Sequence, residues 1–168
     1  MATATKIPLE VYLRSSEYEP DAEYVDGVIE ERPVGEYDHA AWQLAILAYF
    51  LRHPEWKLKA LPELRVQVSA TRFRVPDVTV LGHDAPKEQI VTHPPLAAFE
   101  ILSPEDTVTR MLIKLADYAA MGIEGIFVID PPTDSYYSYQ QGSLDHIGGP
   151  CTVGHCRIDF DEIKGLLT

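Results

Sequence analysis

The chain has 168 residues, enough for one ordinary domain with its own core. It is 46% hydrophobic and 24% charged, which is the composition of a globular protein and not of a disordered or fibrous one. Its start, Met-Ala-Thr-Ala-Thr-Lys, has no apolar signal region, and no apolar stretch approaches the length that spans a membrane. We therefore expect a cytoplasmic domain without a membrane span, made of an extension (1–21), a core (22–140) and a C-terminal hairpin and helix (141–168).

The formal net charge of −12 is unfavourable for binding a polymer of phosphates, because an acidic protein repels it at long range. The charge is uneven, however. Residues 52–74 hold six basic residues against two acids, which is +4 locally and leaves −16 on the remainder. A solvated hairpin face explains this basic cluster as well as a surface for nucleic acid does.

The first half of the chain predicts a helix, a hairpin, a second helix and two strands. Asp26-Gly27 suits a two-residue type I′ turn between short strands. Asp38 is a candidate N-cap for an apolar helix that His53-Pro54 ends. The predicted elements are a helix over 8–14, a hairpin over 22–32, a helix from 38 to about 51, and strands over about 63–69 and 72–81.

The second half predicts a β-α-β unit followed by an edge hairpin and a terminal helix. Thr107 or Asp106 can cap the helix, and Gly122 suits its left-handed C-terminal position. A crossover of this kind makes its two strands parallel. The predicted elements are strand 96–102, helix 108–121, strand 125–129, a hairpin over 136–147 and a helix over 159–167.

Two of the predicted strands each carry an acid among apolar residues. Glu100 stands in Leu-Ala-Ala-Phe-Glu-Ile-Leu over residues 96–102, and Asp77 stands in Val-Pro-Asp-Val-Thr-Val-Leu over residues 75–81. A buried carboxylate is costly unless a partner, a proton or a metal neutralises it. Lys114 falls beside the apolar arc of the predicted helix, so its stem can run along the core and its ammonium can reach the sheet. Together these residues indicate a site for a divalent cation and a polarised water.

The order of these residues resembles the PD-(D/E)XK nuclease superfamily, in which Pro-Asp is followed further along the chain by Glu-x-Lys. It is more similar to the Uma2 family of bacterial endonucleases, whose members also carry a lysine in the helix after the second acid. Here Leu102 stands where the superfamily has its lysine, and Lys114 is the match to the helical one. The similar stretches are Glu-Tyr-Val-Asp-Gly (23–27), Arg-Val-Pro-Asp (74–77), Phe-Glu-Ile-Leu-Ser-Pro (99–104) and Gly-Ile-Phe-Val-Ile-Asp-Pro (125–131).

The resemblance implies a restriction-endonuclease-like α/β fold, a mixed β-sheet flanked by α-helices, and a homodimer. It implies that Asp77 and Glu100 hold Mg²⁺ or Mn²⁺ and that Lys114 assists catalysis. Glu23 matches an early glutamate of the family, and His39 resembles a histidine common in relatives; Glu63 is a further candidate from a neighbouring strand.

The function that follows is metal-dependent hydrolysis of phosphodiester bonds in DNA, with Arg65, Arg72 and Arg74 as the candidate surface for the phosphate backbone. Two alternatives stay open. Glu100 could pair with an arginine, for instance Arg65 or Arg74, in a non-catalytic binding or assembly module of the same fold. A metal-dependent hydrolase of a small phosphate substrate would also tolerate the acidic charge.

Overall fold

The structure is a computed structural model that describes residues 5–14 and 22–167. Most of the predicted extension, residues 1–4 and 15–21, lies outside the described residues. The helices of the described part are α1 (Leu9–Arg14), α2 (Tyr37–Leu51), α3 (Val108–Met121) and α4 (Phe160–Lys164). The strands are β1 (Glu23–Val25), β2 (Val28–Glu30), β3 (Leu58–Pro62), β4 (Val66–Ser69), β5 (Arg72–Arg74), β6 (Val78–Gly82), β7 (Ala97–Ile101), β8 (Gly125–Asp130), β9 (Ser135–Gln140), β10 (Ser143–His146), β11 (Cys151–Val153) and β12 (Cys156–Ile158).

A six-stranded mixed sheet, in the order β10-β9-β8-β7-β6-β3, organises the molecule. Only β7 and β8 run parallel, because α3 crosses between them; the other neighbours are antiparallel. A second sheet has the order β2-β1-β5-β4, and β11 pairs with β12 alone. All five residues of β7 are buried, since helices cover both faces of the sheet at its centre.

The two faces of the large sheet bury different sets of side chains. On one face α2 and α4 pack with Phe99 and Ile101 of β7 in the larger apolar core. On the other face α3 packs with Ala98 of β7 and with β4 of the small sheet. Glu100 alternates with Phe99 and Ile101 along β7, so its side chain points to the α3 side. No helix in these described ranges has the length and apolarity that crossing a bilayer requires.

Much of the predicted secondary structure is confirmed. Asp26 and Gly27 both have positive φ, 50° and 95°, as a type I′ turn requires. Helix α3 has the predicted bounds, Thr107 accepts a hydrogen bond from the Arg110 amide as its N-cap, and Gly122 ends it with φ 99°. The edge hairpin and the terminal helix are also present. The overall architecture is the predicted restriction-endonuclease-like α/β fold.

Three details of the prediction are wrong. The N-cap of α2 is Glu36, and Asp38 lies within its first turn. The strand predicted over 72–81 is broken at Val75-Pro-Asp77, because β5 belongs to the small sheet and β6 to the large one. Strands β3, β11 and β12 were not predicted; β11 and β12 are three residues each, too short for a periodic pattern to reveal.

Candidate active site

Strand register brings the two acids together. In the β6–β7 pair, Val78 lies opposite Phe99. Asp77 directly precedes β6, so continuing the antiparallel register by one residue sets it opposite Glu100. Directly opposite residues share a face of the sheet. The Asp77 carboxylate also accepts a hydrogen bond of 2.7 Å from the Ile101 amide, beside Glu100. The break in the chain at Val75–Asp77 therefore sets one acid against the other across two strands.

Lys114 reaches these acids from α3. Its Nζ lies 2.9 Å from Glu100 Oε2 and 2.9 Å from Glu23 Oε1, and only 12% of its side chain is exposed. Its amphipathic helix turns Met111, Leu115 and Tyr118 into the core, so the lysine at the edge of that arc extends over the sheet. The structure thus brings Lys114 to Glu100; the catalytic role of the pair stays a prediction.

Glu23 is part of the same cluster through β1. Its Oε1 accepts a hydrogen bond of 2.9 Å from the Val75 amide in addition to the contact with Lys114. Its Oε2 lies 2.9 Å from Arg74 Nη1. Because Glu23 is 3% exposed, it needs both cations to remain charged in the interior. Glu23 links the small sheet to the site.

Two basic side chains contact Asp77, one from the segment between β2 and α2 and one from the first turn of α2. Arg32 Nη2 lies 2.5 Å from Asp77 Oδ1, and His39 Nε2 lies 3.1 Å from the same oxygen. Sequence reasoning included His39 and missed Arg32. Arg32 sits in an irregular segment with no periodic pattern, so no local signal distinguished it from a solvated arginine.

Tyr118 is the second missed residue. Its hydroxyl donates a hydrogen bond of 2.5 Å to Glu100 Oε1, and its side chain is completely buried. Tyr118 follows Lys114 by four residues, a spacing at which two helical side chains lie on the same face. That spacing could have identified it once Lys114 was placed near Glu100.

The pKa values of the three buried acids shift in different directions. Burial alone would raise the pKa of Asp77, but the His39 hydrogen bond and the charges of Lys114 and Arg32 outweigh it and lower the pKa. Lys114 and Arg74 likewise outweigh burial and lower the pKa of Glu23. Burial raises the pKa of Glu100 to about 7. The charge of Lys114 lowers this pKa, but the negative charges of Asp77 and Glu23 raise it further. Glu100 is thus the acid whose charge the protein compensates least.

These groups line one cleft that opens to solvent. The charged residues that line it and contact one another include Glu23, Glu30, Arg32, His39, Arg74, Asp77, Glu100 and Lys114. Arg110, with 56% of its side chain exposed, stands at the same cleft. A substrate phosphate could therefore approach the acids and the lysine from outside.

Two other predicted site residues, Glu63 and Arg74, are placed differently from what the sequence suggested. Glu63 is exposed and does not line the cleft; its amide donates to the Asp77 carbonyl oxygen at 3.3 Å. Arg74 is 2% exposed and forms ion pairs with Glu23, Glu30 and Asp117, so the expectation that it contacts a phosphate backbone is wrong. Its guanidinium is already bound to three acids in the interior.

The other two arginines predicted to contact nucleic acid, Arg65 and Arg72, each contact a side chain of this chain. Arg72 bonds Asp26 and Asp117, and 31% of its side chain is exposed. The Arg65 guanidinium lies 4.7 Å from the centre of the Tyr12 ring, a cation–π contact. The pairing that the sequence left open for Glu100, with Arg65 or Arg74, is not formed: Glu100 pairs with Lys114. A contact of Arg65 and Arg72 with nucleic acid stays a prediction.

The donor set fits a hard divalent cation. Asp77 and Glu100 offer carboxylate oxygens on one face of the sheet, the ligand type that Mg²⁺ and Mn²⁺ prefer. Glu100 is also under-compensated, so a further positive charge would favour its ionised form. Within the described ranges, no three or more His, Cys, Asp or Glu side chains form a ready-made metal cluster. An ion held by two acids would complete its shell with water.

The fold and this cluster of two acids and a lysine define a protein of the restriction-endonuclease-like class. The chain belongs to the Uma2 family, described as "Putative restriction endonuclease", whose model matches residues 9–149. Among curated proteins no match was found.

A solved structure supports the assignment of the fold. A crystal structure of a "putative nuclease belonging to DUF820" from Anabaena variabilis has a TM-score of 0.80 and 22% identity, and the match covers 96% of this chain and 99% of that one. A DrdV–DNA complex, 18% identical, matches 76% of this chain and 11% of that one with a TM-score of 0.43. At 22% identity the first structure shows the fold alone.

Proposed function

We propose that this protein is a metal-dependent nuclease that hydrolyses phosphodiester bonds in DNA at the Asp77–Glu100–Lys114 site. The observation that carries the proposal is the convergence of two buried carboxylates and a buried ammonium in a cleft that is open to solvent. Membership in the Uma2 family supports a nuclease. A cluster that served only the core would not need to line an open cleft.

Asp77 and Glu100 would hold Mg²⁺ or Mn²⁺ through their oxygens. A bound ion of this kind supplies Lewis acidity and lowers the pKa of a water ligand. Lys114 is positioned to donate to a phosphate oxygen on which negative charge develops, once the substrate draws its ammonium from Glu100. Arg32 and the exposed Arg110 are suited to bind the incoming phosphate at the cleft.

One observation favours a non-catalytic module instead. The three buried carboxylates already accept hydrogen bonds or ion pairs from protein groups: Asp77 from Arg32, Glu23 from Arg74 and Glu100 from Lys114. Partners of this kind can neutralise buried acids without a metal. The acidic net charge points the same way.

Calorimetric titration of Mn²⁺, together with cleavage of supercoiled plasmid DNA, tests the proposal. We expect one Mn²⁺ site per chain and cleavage that stops on chelation. Asp77→Asn should abolish both, because it removes a ligand charge while keeping the side-chain shape. Glu31→Gln is the matched control, since Glu31 lines the same cleft, is exposed and is not a proposed ligand. Absence of Mn²⁺ binding to the folded wild-type protein would favour the non-catalytic module.

We also propose that two copies associate through the exposed face of α2. Tyr37, Leu44 and Leu51 are 82%, 67% and 82% exposed and recur every seven residues. Seven-residue spacing keeps apolar side chains on one helix face and is the pattern of helix–helix seams. Asp38 is the only acidic residue in α2 and lies in its first turn, so two acidic chains can meet along the rest of the helix without opposing acids.

Leu44→Glu should convert the dimer to a monomer. The substitution would bury two like charges near the centre of a symmetric interface. Light scattering coupled to gel filtration measures the mass, with Ile113→Glu as the control, because Ile113 is an exposed apolar residue of α3 (47% exposed). A wild-type protein that stays monomeric at the highest workable concentration would show that α2 does not pair.

A further inference from the structure

A second cavity adjoins the cluster of acids and lysine, and it is apolar where the first cleft is charged. Its volume is about 300 Å³. That volume lies at the lower end of the range for small-molecule sites, which runs from about 300 to 1,000 Å³. The aliphatic side chains that form most of its wall are Leu102, Val108, Met111, Leu112, Val128 and Leu144.

The cavity lies where open α/β sheets commonly bind ligands. It is at the carboxyl ends of the parallel strands β7 and β8, beside the first turn of α3. Ser103, Asp106 and Met111 line both this cavity and the charged cleft. Leu102 follows Glu100 by two residues on the same face, a separation of about 7 Å along an extended chain. One nucleotide is long enough to reach from the acids into the cavity.

We propose that this cavity holds one nucleobase of the substrate strand, unstacked from its neighbours, while the adjoining phosphate lies at Asp77, Glu100 and Lys114. The inference rests on the proposed function and names its substrate class, a strand with an unpaired or extruded base. A nucleobase has apolar faces that match the aliphatic wall and N–H donors at its edge. The carboxylates of Asp106 and Asp130 at the cavity can accept from such donors.

The same acids argue against other occupants. A second phosphate of the backbone would face Asp106 and Asp130, which repel it. A base in a continuous duplex is covered on both faces by its neighbours, so it must first leave the stack before it can enter the cavity. The base is therefore the part of a nucleotide that fits.

The test compares deoxyadenosine 5′-monophosphate with deoxyribose 5-phosphate, which lacks the base. Both are titrated into the full-length protein with Mn²⁺ replaced by diamagnetic Mg²⁺, and methyl NMR shifts are followed. We expect the nucleotide to bind roughly tenfold or more tightly, the effect of burying the apolar faces of one base against aliphatic side chains, with shifts at Val108, Leu112 and Leu144. Leu112→Asp should remove this difference.

Ile113→Asp is the matched control, because Ile113 is the next residue of α3 and does not line the cavity. It should leave both affinities unchanged. Equal affinities for the two probes, no binding of either probe, or an unchanged difference in Leu112→Asp would overturn the inference. If DNA is cleaved but the nucleotide binds no better than the sugar phosphate, the nuclease stands and the base site fails. If the nucleotide binds as expected and no DNA is cleaved, the base site stands and the proposed nuclease function fails.

Discussion

Lys114→Met should lower the turnover of DNA cleavage by about 10²–10³-fold, the range for removing one donor that stabilises developing charge. The affinity for Mn²⁺ should change far less, because a lysine is not a metal ligand. Single-turnover cleavage rates and calorimetric Mn²⁺ titration measure the two quantities separately. A large loss of rate with little loss of metal affinity would identify Lys114 as a group that acts in the transition state.

Two controls separate catalysis from stability. Lys114 lies between Glu23 and Glu100, so its removal also leaves buried charge uncompensated, and thermal unfolding must show that the variant is folded at the assay temperature. Tyr118→Phe removes a neutral donor to the other oxygen of Glu100 and should reduce turnover much less. A fall in turnover below about tenfold in Lys114→Met would mean that the lysine serves only as a charge partner.

Arg74→Met should lower the free energy of unfolding by about 3–5 kcal/mol, the cost of removing one partner from a buried ion pair. The guanidinium is 2% exposed and lies within 3.0 Å of Glu23 and Glu30 and 2.8 Å of Asp117. Its loss leaves acids in the interior without a cation. Urea or guanidinium denaturation of the wild type and the variant gives the difference.

Arg110→Met is the matched control, since Arg110 borders the same cleft but is 56% exposed, and its loss should cost less than about 1 kcal/mol. Combining Arg74→Met with Glu23→Gln should recover part of the stability, because one fewer charge is left unpaired. A loss below about 1 kcal/mol in Arg74→Met would show that the network is not what stabilises this part of the fold.

The local elements of this protein could be predicted because their signals lie in neighbouring residues. Helix α3 has its cap at Thr107, its apolar arc and its left-handed Gly122 within one segment, and its bounds matched the structure. The hairpin at Asp26-Gly27 follows equally from the positive φ that these residues tolerate. The acids at 77 and 100 were candidates because a carboxylate in an apolar strand requires a partner.

Only the tertiary structure decided which basic side chain pairs with which acid. Arg32 contacts Asp77 across 45 residues of sequence, and Arg74 contacts Glu23 across 51. The sequence indicated Arg74 as a surface residue because it alternates with apolar neighbours, yet the small sheet turns it inward to three acids. Likewise, the break at Val75–Asp77 depends on the two sheets that the chain joins. By itself the sequence determined the β-α-β unit, the hairpin and the two acids in apolar segments. The packing of the two sheets and α3 decided which cation pairs with which acid. Local patterns could not show this, because ion pairing depends on distances between residues far apart in the sequence.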